Sequence, residues 1–352
     1  MLHTEIVFRL FERTREELLY ADYQRVLAGE MSLAVWEEKW KEDASRISIV
    51  RSPEKMPKLL TEDSFIPQGM DVYLEKAPRF APVFRHRHTF FELVYVFNGH
   101  CRIFFTADGR DLLLNTGAFL IIAPEYEHLI DIDDENSIVL NIIIRSSTFW
   151  SIWQNTLRGN TPVSRFFKSH LFGRNGIPYI LFDTETSSDI QYYILESLNE
   201  QFEPDEFSNA VKINLISMIF TLLCRHPSSK TTFMESGDGK NSEVADQVIS
   251  YMLLHFRDCS LESLSEHLHY TTNYCSKVIK ESLGLSYSEI LKEIRVQKTA
   301  ELLLTTTMKI ADISEHVGYR NPETLIRVFR KHFGITPAEY RKGKKQVSAG
   351  EG

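Results

Sequence analysis

The chain has 352 residues, 43% hydrophobic and 25% charged, with a formal net charge of −8. That length supports two or three domains with real cores, and the composition is that of a globular protein rather than a disordered one. The negative balance argues against nonspecific coating of nucleic acid, and no apolar run approaches the length of a membrane span. The N-terminal MLHTEIVFRLFERTREEL is too charged for a signal peptide, so a soluble cytoplasmic protein is expected. Four cysteines, Cys101, Cys224, Cys259 and Cys275, lack the spacing of zinc ligands and read as small core residues in a reducing compartment.

Residues 1–60 form a helical N-terminal extension (TEIVFRLFERTREELLYADYQRVL) without a chemical motif. Between 61 and 150 the apolar period becomes two. ELVYVF, Asn98-Gly99 and HCRIFF read as a hairpin with a two-residue turn, and DGRDLLL, GAFLIIAP, HLIDID and SIVLNIII follow as further short strands. Such a series predicts an antiparallel barrel or sandwich. Residues 151–225 read as a helical dimerisation or packing segment, with helices at Asp189 to Phe202 and Ser208 to Cys224. The broad apolar face of the second suits its own domain or a second subunit equally. The polar stretch HPSSKTTFMESGDGKNSE, 226–243, reads as a linker.

Past the linker the chain changes character. From Asn241 onward there are 15 Lys and Arg against 14 Asp and Glu, a net of +1 that leaves −9 for the remainder. Every strong segment of 244–343 is helical, and the helices repeat. Leu261, Leu264, Ser265 and Leu268 match Ile310, Ile313, Ser314 and Val317 at an offset of 49. Asn273, Lys277, Val278, Ile279, Lys280 and Gly284 match Glu323, Arg327, Val328, Phe329, Arg330 and Gly334 at an offset of 50. The shift falls in a turn, where insertions are tolerated, and an internal repeat of this detail points to duplicated supersecondary units.

Each copy is a short helix, a tight turn and a second helix, the geometry that places a recognition helix in a DNA major groove. In the later copy Asn321 is the N-cap and Pro322 the first helical residue. Leu325, Val328, Phe329 and His332 are expected to face inward. Glu323, Arg327, Arg330 and Lys331 face outward, with Thr324 and Ile326 at the flanks. In the earlier copy Cys275, Val278 and Ile279 face inward, while Asn273, Ser276, Lys277 and Lys280 are free to face DNA. Both second helices stop at Gly, followed by capping boxes at Ser286/Glu289 and Thr336/Glu339. A helix from Tyr287 to about Leu304, ~27 Å long, can hold the two copies about one DNA turn apart. Lys and Arg suit phosphates or guanine, Asn and Glu suit adenine or cytosine, and the basic tail Arg341-Lys342-Gly343-Lys344-Lys345 can add phosphate attraction.

These residues resemble the AraC/XylS family of bacterial transcription regulators. The signature lies in Gly318-Tyr319, Arg327, Phe329, Arg330-Lys331, Gly334, Thr336-Pro337 and Tyr340-Arg341. The resemblance covers Ser242 to Lys342 and implies a two-motif DNA-binding domain. Glu323 stands where the family often has a small Ser, and Leu325 where it often has an aromatic. The strand-rich region is similar to the cupin-type sensing domain of many members. His86-Arg87-His88, Glu92 and Gly99 match the first cupin motif, and Gly117 and His128 the ends of the second. Ala123, Glu125 and Ile132 depart from that second motif. On chemistry alone, three His and one Glu are a plausible divalent-metal set. In this family the barrel more often takes a small organic effector, so His86, His88, Glu92 and His128 are assigned to effector binding, with no cofactor and no metal.

The expected fold is therefore α+β and multidomain. A helical N-terminal segment, an antiparallel cupin-like barrel with flanking helices and an all-α domain with two helix-turn-helix motifs follow in order. The expected function is sequence-specific transcription regulation, with an operator or promoter duplex and an effector of unknown identity as partners. RNA polymerase is a possible further partner, a homodimer the expected assembly, and no membrane is involved. The competing function, a metal-dependent cupin enzyme with an accessory DNA-binding domain, needs an intact second metal motif. No nucleophile elbow, phosphate loop or paired-carboxylate motif supports it.

Overall fold

The computed structural model describes residues 1–153, 161–172, 178–184, 187–225, 231–233 and 239–342. They divide into two compact units, one of Met1–Ser146 with Pro178–Phe233, the other of Ser147–Ile177 with Met234–Gly352. The architecture is α+β, with antiparallel sheets in the first unit and helices throughout the second.

The first unit opens with helices α1 (His3–Phe11), α2 (Arg15–Leu27), α3 (Leu33–Lys39) and α4 (Ala44–Arg51). Leu19, Tyr20, Trp36, Trp40 and Val50 bury the faces of α2–α4 together, with Phe80 and Ala81 packed against them. Thr14 caps α2 through a capping box with Glu17. The Glu17 carboxylate is also buried between Lys76 Nζ at 2.9 Å and Arg79 Nε at 2.8 Å, and it receives the Arg79 backbone N–H at 3.2 Å. This ion triad ties α2 to the strand-rich part of the unit.

The strands are β1 (Leu59–Leu60), β2 (Val72–Lys76), β3 (Arg87–His88), β4 (Glu92–Asn98), β5 (His100–Phe105), β6 (Arg110–Asn115), β7 (Ala118–Ile122), β8 (His128–Asp131) and β9 (Ile138–Ile144). Later come β10 (Tyr179–Asp183) and β11 (Thr231–Phe233). One sheet runs β11-β10-β7-β4-β9-β2, a second runs β6-β5-β8, and β1 pairs with β3. Alternation sends Val94, Val96, Cys101, Ile103, Phe105, Leu120, Ile122, Ile130, Ile132 and Val139 into one apolar interior.

Two local expectations are corrected. Asn98-Gly99 is not a hairpin turn, because β4 pairs with β7 and β9 while β5 pairs with β6 and β8. It is a corner where the chain leaves one sheet for the other. A bulge between Val96 and Asn98 turns the strand, and Gly99 sits at φ +75° with Ser137 Oγ only 2.3 Å from where a Cβ would lie. The stretch 151–225 is not wholly helical: Tyr179–Asp183 is a strand beside β7, and β11 lies inside the expected linker. The helices α7 (Ser188–Phe202) and α8 (Ser208–Arg225) pack on each other and on β2 in the first unit.

The second unit holds α5 (Ser146–Trp153), α6 (Pro162–Phe172), α9 (Gly239–His255), α10 (Leu261–Leu268), α11 (Thr272–Leu283), α12 (Tyr287–Thr305), α13 (Ile310–His316) and α14 (Pro322–Phe333). The segment 151–225 is thus shared: α5 and α6 group with α9–α14, and α6 packs against α9. Helix α12 is the central rod, in contact with α9, α11, α13 and α14.

Candidate nucleic-acid interface and effector site

The two motifs of the second unit are built alike, save for one residue in the turn. After α10, His269 takes the left-handed conformation, and the Tyr270 N–H donates to the Ser265 carbonyl at 3.1 Å. After α13, Gly318 takes the same role, and the Tyr319 N–H donates to the Ser314 carbonyl at 2.8 Å. Ser265 and Ser314 are both buried, as close helix approach requires. The N-caps then follow: Thr271 accepts from the Tyr274 N–H, and Asn321 from the Glu323 N–H. Tyr270 corresponds to Tyr319 and Thr271 to Asn321, so the residue inserted into the second copy is Arg320.

Helix α11 buries Cys275, Val278, Ile279 and Leu283 and exposes Asn273, Ser276, Lys277 and Lys280. Helix α14 buries Leu325 and Phe329 and exposes Glu323, Arg327, Arg330 and Lys331, with Thr324 half-buried. Glu323, Ile326, Arg327, Arg330, Lys331 and Thr336 line one shallow groove. Lys277 lies 3.8 Å from Glu281, an exposed pair worth little, so its head remains available. Lys280 Nζ folds back to donate to the Gly284 carbonyl at 3.3 Å, closing its own helix. His332, expected inward, is instead exposed at the flank, 3.3 Å from Glu293. Of the basic tail, only Arg341 and Lys342 fall among the described residues.

Sequence reasoning missed what joins the motifs. Arg295 of α12 donates to the Phe256 and Arg257 carbonyls, both at 2.9 Å, and its guanidinium lies 5.3 Å from the Tyr319 ring. A Cβ on Gly318 would meet the Arg257 carbonyl oxygen at 2.3 Å. The end of α9 and the second turn are thereby locked on one arginine. The one signal in the sequence was an unpaired Arg in the middle of a helix whose neighbours are apolar.

In the first unit the strands bring His86, His88, Glu92 and His128 together. Glu92 shares the inward parity of Val94 and Val96, and His128 that of Ile130 and Ile132. His86 and His128 face each other across an isolated bridge, each N–H donating to the other's carbonyl at 3.1 and 2.9 Å. All four side chains are buried. Glu92 Oε2 lies 3.1 Å from His88 Nε2 and 3.2 Å from His128 Nε2. Burial opposes the Glu92 charge, but the His128 and His88 contacts outweigh it and hold the carboxyl well below its usual range. Burial, with His128 adding to it, pushes His86 down to about 4.

Each imidazole is oriented by its other nitrogen. His86 Nδ1 donates to the Phe84 carbonyl at 3.2 Å, His88 Nδ1 to the Phe90 carbonyl at 2.6 Å and His128 Nδ1 to the Tyr126 carbonyl at 3.0 Å. A carbonyl only accepts, so an Nδ1 bonded to one carries its proton and turns the ring's Nε2 inward, where His128 Nε2 is in hydrogen-bond contact with Glu92 Oε2 at 3.2 Å. His88 Nε2, though near Glu92, lacks hydrogen-bond alignment and stays unsatisfied. These orienting carbonyls belong to the backbone and leave no trace in residue identity.

Residues 69–171 match the AraC-like ligand binding domain and residues 264–343 a helix-turn-helix domain. The HTH-type transcriptional regulator YfiF of Bacillus subtilis is 24% identical over 73% of this chain and 78% of its own length. The lactose operon transcription activator of Staphylococcus xylosus is 30% identical over 36% of this chain and 44% of its own length. The HTH-type transcriptional regulator YtdP of B. subtilis is 32% identical over 31% of this chain. Only 14% of that regulator's own length is covered, so with these last two the chain shares less than half of the relative. With a ligand-binding domain and a helix-turn-helix domain in that order, and transcriptional regulators as its relatives, the chain belongs to the AraC family.

Proposed function

We propose that the protein is a sequence-specific transcription regulator that docks α11 and α14 into DNA and responds to a small molecule bound in the barrel. The observation that supports it most is the duplicated motif. Two helices fifty residues apart, each set by a left-handed turn and a polar N-cap, expose Asn273, Ser276, Lys277 and Lys280 on one and Glu323, Arg327 and Arg330, with half-buried Thr324, on the other. His86, His88, Glu92 and His128 form the effector-binding group, since clustered polar side chains in an apolar interior need partners. A homodimer through the α7–α8 face and contact with RNA polymerase belong to the same reading; Met218 of α8 is 43% exposed there.

Selection of bound DNA from a random pool would supply the operator. Lys277→Ala and Arg327→Ala are then each expected to weaken operator binding by about 1–3 kcal/mol where they touch a base, with relaxed specificity. A phosphate contact would instead weaken all sequences alike. Unchanged operator affinity in both variants, with helicity intact by circular dichroism, would sink the recognition-helix assignment.

A further inference from the structure

We infer that His86, His88, Glu92 and His128 hold a divalent transition-metal ion, which makes the sensing site proposed above a metal site; the inference rests on that placement of the effector group. Three features of the cluster converge. The backbone carbonyls of Phe84, Phe90 and Tyr126 each take an Nδ1 proton and so turn each Nε2 the other way. His86 and His128 meet Glu92 in one region, and His88 Nε2 lies 3.1 Å from that carboxylate. Such outer hydrogen bonds orient imidazole ligands and raise their basicity in metal centres. Next, His88 Nε2 is buried at 1% exposure without a hydrogen-bond partner, beside a carboxylate oxygen that offers only further lone pairs. An unsatisfied imidazole nitrogen beside the spare lone pairs of a buried carboxylate is unfavourable in an apolar interior, and a cation would satisfy both together.

The third feature is spacing. The ligand atoms of His86, Glu92 and His128 lie within 4.8 Å of one another. An ion ~2.1 Å from each donor needs donors about 3.0–4.2 Å apart, so the 3.1 and 3.2 Å contacts already fit and the longest needs only a small contraction. The backbone bridge between His86 and His128 fixes two of the donors before any ion arrives. Aromatic rings wall the cluster: Phe84 lies 4.8 Å from His86 and Phe90 stacks 4.8 Å from His88. Three imidazole nitrogens and one carboxylate suit zinc, iron, cobalt, nickel or manganese, whereas calcium and magnesium prefer oxygen ligands.

The test uses the full chain, untagged, stripped with a chelator and dialysed. Titration with Zn²⁺ and Co²⁺ should load about one ion per chain and raise the melting temperature, Co²⁺ should develop a visible absorption band, and Mg²⁺ should do neither. Glu92→Gln keeps shape and volume, and loss of this ligand should weaken Co²⁺ binding about 10–100-fold, the range seen when metal-site partners are removed. His128→Asn should do the same. No stoichiometric binding of either ion by the folded wild-type chain overturns the inference, and so does binding that both variants retain at full affinity. Operator binding, measured in parallel, separates the two levels. A chain that binds its operator and answers an organic molecule but takes no ion loses the metal inference alone. A chain that takes the ion yet selects no DNA loses the regulator reading alone.

Discussion

Gly318 and Gly334 both sit in the left-handed region, at φ +89° and +76°, yet substitution should cost them very different amounts. Around Gly334 a Cβ would meet nothing within 4 Å, so Gly334→Ala pays only the conformational term, about 1 kcal/mol. At Gly318 the added Cβ would meet the Arg257 carbonyl oxygen, a backbone atom held by Arg295, at 2.3 Å. Gly318→Ala is expected to cost about 3 kcal/mol or more, because α9 and the second turn must part, and to lower operator affinity as well. Thermal melts of both variants check the ranking; equal losses would show that the joint is soft. His269 occupies the equivalent place in the first copy without being Gly. This is why the turn there was legible from Ser265 and the helix period but not from a glycine.

Among elements, Glu17 ties α2 to the sheet side of its unit. Burial alone would raise that carboxyl, but hydrogen bonds from Arg79 and Lys76 overcome it and hold the group at about 2 against an ordinary 4.5. A depressed carboxyl contributes stability above its unfolded value and loses it as pH falls, here between about 4.5 and 2. The linked contribution is roughly 3 kcal/mol. Hydrogen exchange should therefore show α1–α4 opening early on acidification, and Glu17→Gln should open them at neutral pH. Protection unchanged in that variant would assign the docking to the Trp36 and Trp40 cluster instead. The helical repeat was readable because α-periodicity reports which face a helix buries, and caps such as Asn321 report where it starts. Period two makes ELVYVF and HCRIFF strands but is silent on partners, so the Asn98-Gly99 corner passed for a hairpin. YILFD was missed for a related reason: five residues between helices give no period to measure, and pairing with β7 and β11 makes them a strand. At the cluster of His86, His88, Glu92 and His128 the four side chains were legible by type and spacing, while the carbonyls that orient them were not.

For the whole chain, the second unit is assembled from two stretches separated by β10, α7, α8 and β11. Lys168 of α6, fully buried, donates to Ser250 Oγ at 2.6 Å and to the Asp246 carbonyl at 3.4 Å on α9. A fragment starting at Asn241 would seem a complete DNA-binding domain, but it lacks α5 and α6. It is expected to bind the operator yet melt below the second unit of the full chain, and identical melting would make the α6–α9 contact incidental. Burial also pushes the Lys168 amine down to about 8 from 10.5. Between those values the unfolded chain binds more protons than the native one, so stability should rise with pH over that window. The fragment and Lys168→Met should both lack that rise. During synthesis the same layout imposes an order of events. Helix α6 ends at Phe172 and α9 starts at Gly239, so at about 5–20 residues per second Lys168 waits several seconds for Ser250, its partner on α9. The first unit can close in that interval, whereas the second cannot begin. A chain released at Phe233 would hold the whole first unit with α6 still lacking its partner α9, a natural client for chaperones and proteases.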